Sequence, residues 1–319
     1  EALMDALGTD FTIACPAFPE NGRTIYRGHL FVGDVLLSDS GMRDHPLTPM
    51  RDANLVRVLQ AQSTRRVGLI AHASIAAGVG AVRERIVALR ADGIAIAIAD
   101  AITNDDLRVL AAACAELPLL TAGSGLALGL PDVYAARGWL VPDARAAELG
   151  AIDGRSAVLS GSCSLATNAQ VAEWRRAGRP AFAIDPRALA RGERVAAKAL
   201  DWAAAQREPL LIYATAATAD LQAIQAELGA AQAGALVEHA LAQVAAGLVD
   251  DQGVRRLVVA GGETSGAVVQ ALGVTRLRIG AAICPGVPWT RTEGRPVPLL
   301  LALKSGNFGG PAFFEEALR

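Results

Sequence analysis

A chain of 319 residues is long enough to bury about three quarters of the surface its unfolded form exposes, a size at which one core usually divides into two domains. Lys and Arg number 30 against 32 Asp and Glu, for a net charge of −2, and the absence of any basic block excludes the electrostatic footprint of a nucleic-acid binder. The longest apolar stretches, such as 94–99 and 257–260, are far shorter than the ~20 residues of a membrane-spanning helix, so no membrane partner is expected.

The chain opens at Glu1 without a methionine, and its first residues, EALMDALG, read as the tail of a helix already under way; a missing N-terminal segment is expected. From 11 to 138 short apolar runs alternate with amphipathic segments, the pattern of a mainly parallel sheet flanked by helices. Strands are expected at 11–15, 25–32, 67–71, 94–99 and 119–121. Asp52 reads as the N-cap of a helix carrying Leu55, Val58 and Leu59, and Asp105 as the start of another carrying Leu107, Leu110 and Ala111.

Pro142, Asp143, Gly150 and Gly154 interrupt any period between 141 and 154. That stretch is therefore read as a linker between a first domain, 1–140, and a second, 155–319. The second domain also alternates strand and helix, with strands expected at 157–159, 181–184, 210–213, 257–260, 277–279 and 299–303. Between the third and fourth of these the alanine-rich sequence reads as two helices meeting near 229–234. The fold class is α/β, with two domains of similar plan and an active site in the cleft between them.

Three loops rich in glycine and serine each follow an apolar strand in the second domain. The clearest is GGETSG, comprising Gly261, Gly262, Glu263, Thr264, Ser265 and Gly266. Two glycines let the backbone turn tightly, and the helix that follows points its unpaired amides back into the loop. An oligophosphate needs such a place, because free N–H groups and a positive helix end bind anionic oxygens. A tight strand-to-helix turn without a ligand would read the same, since the segment is neither GxxxxGK[ST] nor GxGxxG. The second loop, SGSCS, contains Ser162, and the third, KSGNFGG, contains Lys304, Gly306 and Asn307. Three such loops at the carboxyl ends of parallel strands would face one crevice, which favours a nucleotide. Lys304 could neutralise charge on a transferred phosphoryl group or stand in solvent at a strand end. Between the last two loops CPGVPWT, 284–290, reads as a rigid turn that could shape the nucleotide pocket, with Trp289 as packing rather than an adenine stack.

In the first domain, charged residues gather in the loop SDSGMRDHPLTPM, where Arg43, Asp44 and His45 follow one another. Arginine offers a planar fork to a carboxylate, and Asp and His can bind hydroxyls, so a small polyol acid is one reading and a solvated loop the other. Asp100 ends a strand, where α/β enzymes place ligand carboxylates. His72 could face the same side. Cys15, Cys114, Cys163 and Cys284 form no CxxC pair and no metal spacing, and reduced thiols suit a cytoplasmic protein.

Taken together, GGETSGAVVQALGV from Gly261, CPGVPWT from Cys284 and LALKSGNFGGPAFFEEAL from Leu301 resemble the nucleotide-binding domain of the four-carbon acid sugar kinases. The run CPAFPENGRTIYRGHLFVGDVLLSDSGMRDHPLTPM from Cys15 resembles the 3-oxo-tetronate kinase branch of that family. The resemblance covers nearly the whole chain. It implies a phosphotransferase that uses ATP with Mg2+ to phosphorylate the 4-hydroxyl of 3-oxo-tetronate. It places ATP on Ser162, on Gly262 to Ser265 and on Gly306, and the sugar acid on the first domain. Members of the family open with an aspartate-rich DDFTGA-like loop that does not occur here, so the catalytic base is expected before Glu1. D-threonate and D-erythronate kinases of the same family are the alternative, and a nicotinamide-dependent oxidoreductase or a non-catalytic sensor the readings from other classes. A homodimer is expected on base rates.

Overall fold

In the computed structural model, which describes residues 1–43, 48–207 and 209–319, the apolar runs become strands in two units, Glu1–Asp143 and Ala144–Arg319. The first unit contains β1 (Thr12–Cys15), β2 (Arg23–Tyr26), β3 (His29–Val32), β4 (Val35–Leu36), β5 (Val67–Ile70), β6 (Ile96–Ala99) and β7 (Thr121–Ala122). A parallel sheet runs in the order β5-β6-β1-β7, and β2-β3-β4 form a small antiparallel sheet. Every residue of β1 and β6 is buried, as befits central parallel strands covered on both faces. Ile13, Ile70, Ile98, Leu107 and Leu110 lie in this core.

Three local expectations need correction. Residues 25–32 do not form one strand but the hairpin β2–β3, which reverses at Arg27 and Gly28 with φ of 49° and 74°. Two consecutive left-handed residues are what a two-residue hairpin turn requires. The helix Leu55–Gln60 is capped by Asn54, whose side chain accepts from the Arg57 amide at 3.0 Å; Asp52 instead accepts from the Asn54 amide and grips the Arg57 guanidinium with both oxygens. The helix Asn104–Cys114 starts from Thr103, which forms a reciprocal capping box with Asp106 rather than with Asp105.

The second unit contains β8 (Arg155–Ser160), β9 (Ala181–Ala183), β10 (Leu210–Tyr213), β11 (Val254–Ala260), β12 (Arg276–Cys284), β13 (Val287–Glu293) and β14 (Leu300–Lys304). Their order is β12-β13-β14-β11-β8-β10-β9. The five strands from β14 to β9 are parallel, and β13 runs antiparallel to both its neighbours. Alternation sorts the core. Leu159, Ile212, Leu257 and Val259 face helix Ala230–Asp250, through Leu241, Val244 and Leu248. Val158, Leu211 and Val258 face the other way, onto Trp174, Phe313 and Phe314. Helices Thr218–Leu228 and Ala230–Asp250 meet at Gly229, with φ of 84°.

β13 is a strand the sequence did not suggest. The turn read into 284–290 is confined to Pro285 and Gly286, and Pro288 sits inside β13 opposite Ala282, where the register with β12 shifts. A bulge is one of the few places where a sheet tolerates proline. From β8 the chain adds β9 and β10 on one side and then β11 and β14 on the other. The direction of growth reverses between β8 and β11, the topological switch point at which open α/β sheets bind ligands.

Candidate functional site

The loops after β8, β11 and β14 meet at that switch point. The amides of Gly161 and Ser162 donate to the Ala260 carbonyl at 3.0 and 3.2 Å, and the Gly261 amide donates to the Lys304 carbonyl at 2.9 Å. The fit leaves no room for side chains. A Cβ on Gly161 would stand 2.2 Å from Thr264 Oγ1, and one on Gly306 would stand 2.2 Å from Ser162 Oγ. Gly261 has φ of 130° and also abuts Thr264 and the Ser162 amide, so glycine is required there on conformational grounds as well.

Two helices begin at this edge, Leu165–Arg176 and Gly262–Ala271. The first-turn amides of a helix have no partner within it and carry its positive end. Ser265, nine-tenths buried in the first turn of the second helix, has a hydroxyl with no hydrogen-bond partner. A buried orphan polar group beside a glycine-rich strand-to-helix turn suits a ligand rich in oxygen.

The third loop is held from beneath. The Gly306 carbonyl accepts from Ser164 Oγ at 2.6 Å, Thr167 Oγ1 at 2.8 Å and Lys304 Nζ at 2.9 Å. Farther along, Gln170 Nε2 donates to the carbonyls of Phe308, Gly309 and Gly310 at 3.0 to 3.1 Å. Lys304 does not stand in solvent: it is 1% exposed, its ammonium also reaches Thr167 Oγ1 and the Ser305 carbonyl, and it lies 5.8 Å over the Phe313 ring. Burial pushes its pKa down to about 8, because an apolar surround disfavours the charged form.

Gln170 and Thr167 did not stand out as functional residues in the sequence, yet a signal was present. Thr167, Gln170, Val171 and Trp174 are all buried, at the spacing of one helix face. Polar residues on a core-facing stripe must find partners inside. Burial raises the thiol pKa of Cys163, and its sulfur accepts from the Ala216 amide, as suits a small packing residue.

At the strand ends of the first unit the expected ligand residues are differently placed. Asp100 is fully buried and accepts from the amides of Arg27, Gly28 and His72 at 2.7, 2.8 and 2.9 Å. Its carboxylate thus ties the hairpin turn to the start of helix His72–Ala76. His72 points one ring nitrogen at Asp106, 3.4 Å away, and lies 5.9 Å from the Tyr26 ring. Arg43 is exposed beside Asp39. Asp44 and His45 lie outside the described residues.

The two units correspond to two known domain types. A sugar-binding N-terminal domain matches residues 1–130 and a nucleotide-binding C-terminal domain matches residues 157–314. A 3-oxo-tetronate kinase from Cupriavidus necator is 63% identical over 319 residues, all of this chain and 73% of that protein. This chain belongs to the four-carbon acid sugar kinase family. It is a sugar-acid kinase, a phosphotransferase that draws on ATP.

The family likeness extends to more distant members. The Haemophilus influenzae 3-oxo-tetronate kinase is 43% identical, over 99% of this chain and 75% of its own. Among solved structures, a Salmonella typhimurium LT2 protein provisionally described as a tRNA synthase superposes with a TM-score of 0.79 at 42% identity, over 100% of this chain and 75% of that one. The chain thus spans about three quarters of the length of these relatives. Among its described residues no helix is long and apolar enough to cross a membrane.

Proposed function

We propose that this kinase transfers the γ-phosphoryl group of ATP to the 4-hydroxyl of 3-oxo-tetronate, the substrate for which its relatives are named. The observation that carries the phosphate side is the convergence of three loops on the switch point, with glycines where a Cβ would collide. Phosphoryl transfer asks the protein mainly for alignment and charge stabilisation. In this reading the amides of Gly262, Glu263 and Thr264 and the hydroxyl of Ser265 grip the phosphates together with Ser162, Gly306 and Asn307, while Gly261 serves the turn, since its amide is taken by the Lys304 carbonyl and its own carbonyl accepts from the Ser265 amide. The hydroxyl of Ser265 gains in the ligand the partner it lacks in the protein.

On the acceptor side, Arg43, Asp44 and His45 would seat the carboxylate and hydroxyls of the sugar acid, and Asp100 would act by fixing the Arg27–Gly28 turn. Among the described residues no group of three or more His, Cys, Asp or Glu is arranged for a metal. Mg2+ is usually held by one or two carboxylates plus substrate phosphates, and in this reading the phosphates of ATP would carry it. When bound, Mg2+ neutralises charge on the phosphates. A homodimer is expected on base rates, and four cysteines that form no CxxC pair suit a cytoplasmic setting.

An ADP-release assay across 3-oxo-tetronate, D-threonate and D-erythronate tests the assignment. The expected result is a kcat/KM for 3-oxo-tetronate at least about tenfold above the other two, the scale on which a site built for one polar pattern rejects its analogues. Equal or better turnover of either aldonate would overturn the choice of substrate.

A further inference from the structure

The loop 305–310 has an unusual orientation of its peptides. The carbonyls of Ser305 and Gly306 point at Lys304, and those of Phe308, Gly309 and Gly310 point at Gln170. In a trans peptide the C=O and the following N–H point in opposite directions, and the chain contains no cis bond among its described residues. The amides of Gly306, Gly309 and Gly310 are therefore turned away from the buried donors. Successive peptides facing one way require an alternating backbone, which Gly309 supplies with φ of 80°. Such a row of N–H groups is a surface for anionic oxygens.

Lys304 is not itself one of those anion contacts. An ammonium has three protons, and its three acceptors, Thr167 Oγ1, the Ser305 carbonyl and the Gly306 carbonyl, lie at 3.2, 3.1 and 2.9 Å. Gln170, fully buried, likewise directs its amide nitrogen wholly to the loop. We propose that Lys304 and Gln170 are positioning residues of the nucleotide site, holding the carbonyls of 305–310 inward so that the opposite amides face the oligophosphate. The proposal rests on the nucleotide reading above and goes beyond it by assigning the loop's orientation to two side chains that touch no substrate.

The test uses Lys304→Met and Gln170→Met, each close in length to the native side chain but without its donors, in the full chain. Steady-state kinetics give KM for ATP, KM for the sugar acid and kcat, and calorimetry gives ATP affinity. The expected result is a KM for ATP raised about 10- to 100-fold, the scale of one or two lost charge-assisted hydrogen bonds, with kcat at saturating ATP and KM for the acid within about threefold. A merely structural role would lower the thermal midpoint and the active fraction while leaving KM for ATP unchanged, and that result overturns the proposal. So does a fall in kcat at saturating ATP with KM for ATP unchanged in Lys304→Met, which would put the ammonium on the transferring group. Should Lys304→Met not fold, Gln170→Met decides alone. A wild-type protein without ATP affinity by calorimetry would refute the nucleotide reading itself, and this inference with it.

Discussion

At the carboxyl edge of the second unit's sheet the buried polar groups are donors: Lys304, Thr167 and Gln170, with the half-buried Ser164, hold carbonyls inward. At the corresponding edge of the first unit they are acceptors: Asp100 holds the amides of Arg27, Gly28 and His72, and Asp106 those of Ile102 and Thr103. The two edges share a parallel-sheet plan and differ in what lies beneath their loops. A loop presents to solvent the peptide groups that its buried braces do not take. Donors underneath hold carbonyls and turn amides outward, whereas acceptors underneath hold amides inward.

The comparison breaks most visibly at Asp100. Replacing it with Ala removes a charged acceptor from three backbone amides in a site with no exposed surface. Hydrogen bonds to charged groups contribute about 1.5–3 kcal/mol each, and buried donors left unpaired add a penalty. Asp100→Ala is expected to destabilise the first unit by about 3–5 kcal/mol. Hydrogen exchange at the Arg27, Gly28 and His72 amides in urea would read this directly. A loss below about 1 kcal/mol would mean that the carboxylate is not the brace that the geometry describes.

On the donor side the corresponding probe is pH. The folded pKa of Lys304, about 8, lies below its ordinary value of 10.5, so between these values the unfolded chain binds more protons than the folded one. Stability then rises with pH through that window, as the penalty for burying the ammonium is relieved. The full change is on the order of 3 kcal/mol. Measured as the difference between wild type and Lys304→Met, which cancels other titrating groups, it should grow from pH 8 to 10.5. A difference that stays flat across the window would show that the ammonium is not buried as described.

Between the two braces and the loops lies a steric requirement. A Cβ at Gly306 would meet Ser162 Oγ at 2.2 Å and Ser164 Oγ at 2.9 Å, and both hydroxyls belong to the loop after β8. Overpacking of this kind costs about 1–3 kcal/mol, so Gly306→Ala should raise KM for ATP by about 10- to 100-fold. An unchanged KM would remove the loop after β14 from the nucleotide site.

Much of this architecture was legible in the sequence because it depends on local period. Strands such as β8, β11 and β14 announce themselves as apolar runs that feed loops rich in glycine and serine, and those loops lie where strand-to-helix logic puts them. What escaped depended on partners distant in sequence. Gln170 meets the loop at Phe308, Gly309 and Gly310 across 138 to 140 residues, and no window of sequence contains both sides. Lys304 and Asp100 each close a strand with a charge, and only packing distinguishes a solvated charge from a buried brace. The hairpin at Arg27 and Gly28 escaped because a left-handed arginine contradicts ordinary turn preference; Asp100 on their two amides accounts for its tolerance.

The weakest brace on the acceptor side sharpens the contrast. Thr103 accepts from the Asp106 amide at 3.2 Å while Asp106 Oδ2 accepts from the Ile102 and Thr103 amides at 2.9 Å. The two halves of this capping box are unequal: a neutral hydroxyl takes one amide and a nearly buried carboxylate takes two. Removing the hydroxyl by Thr103→Ala should cost about 1 kcal/mol, the usual value of an N-cap. Removing the carboxylate by Asp106→Ala should cost more, since it also deprives His72 of its 3.4 Å partner. Urea midpoints for the two variants would order them. If Thr103→Ala proved the more damaging, the first unit's edge would depend on its helix start rather than on buried carboxylates, and the opposition between its acceptors and the second unit's donors would be a coincidence of placement.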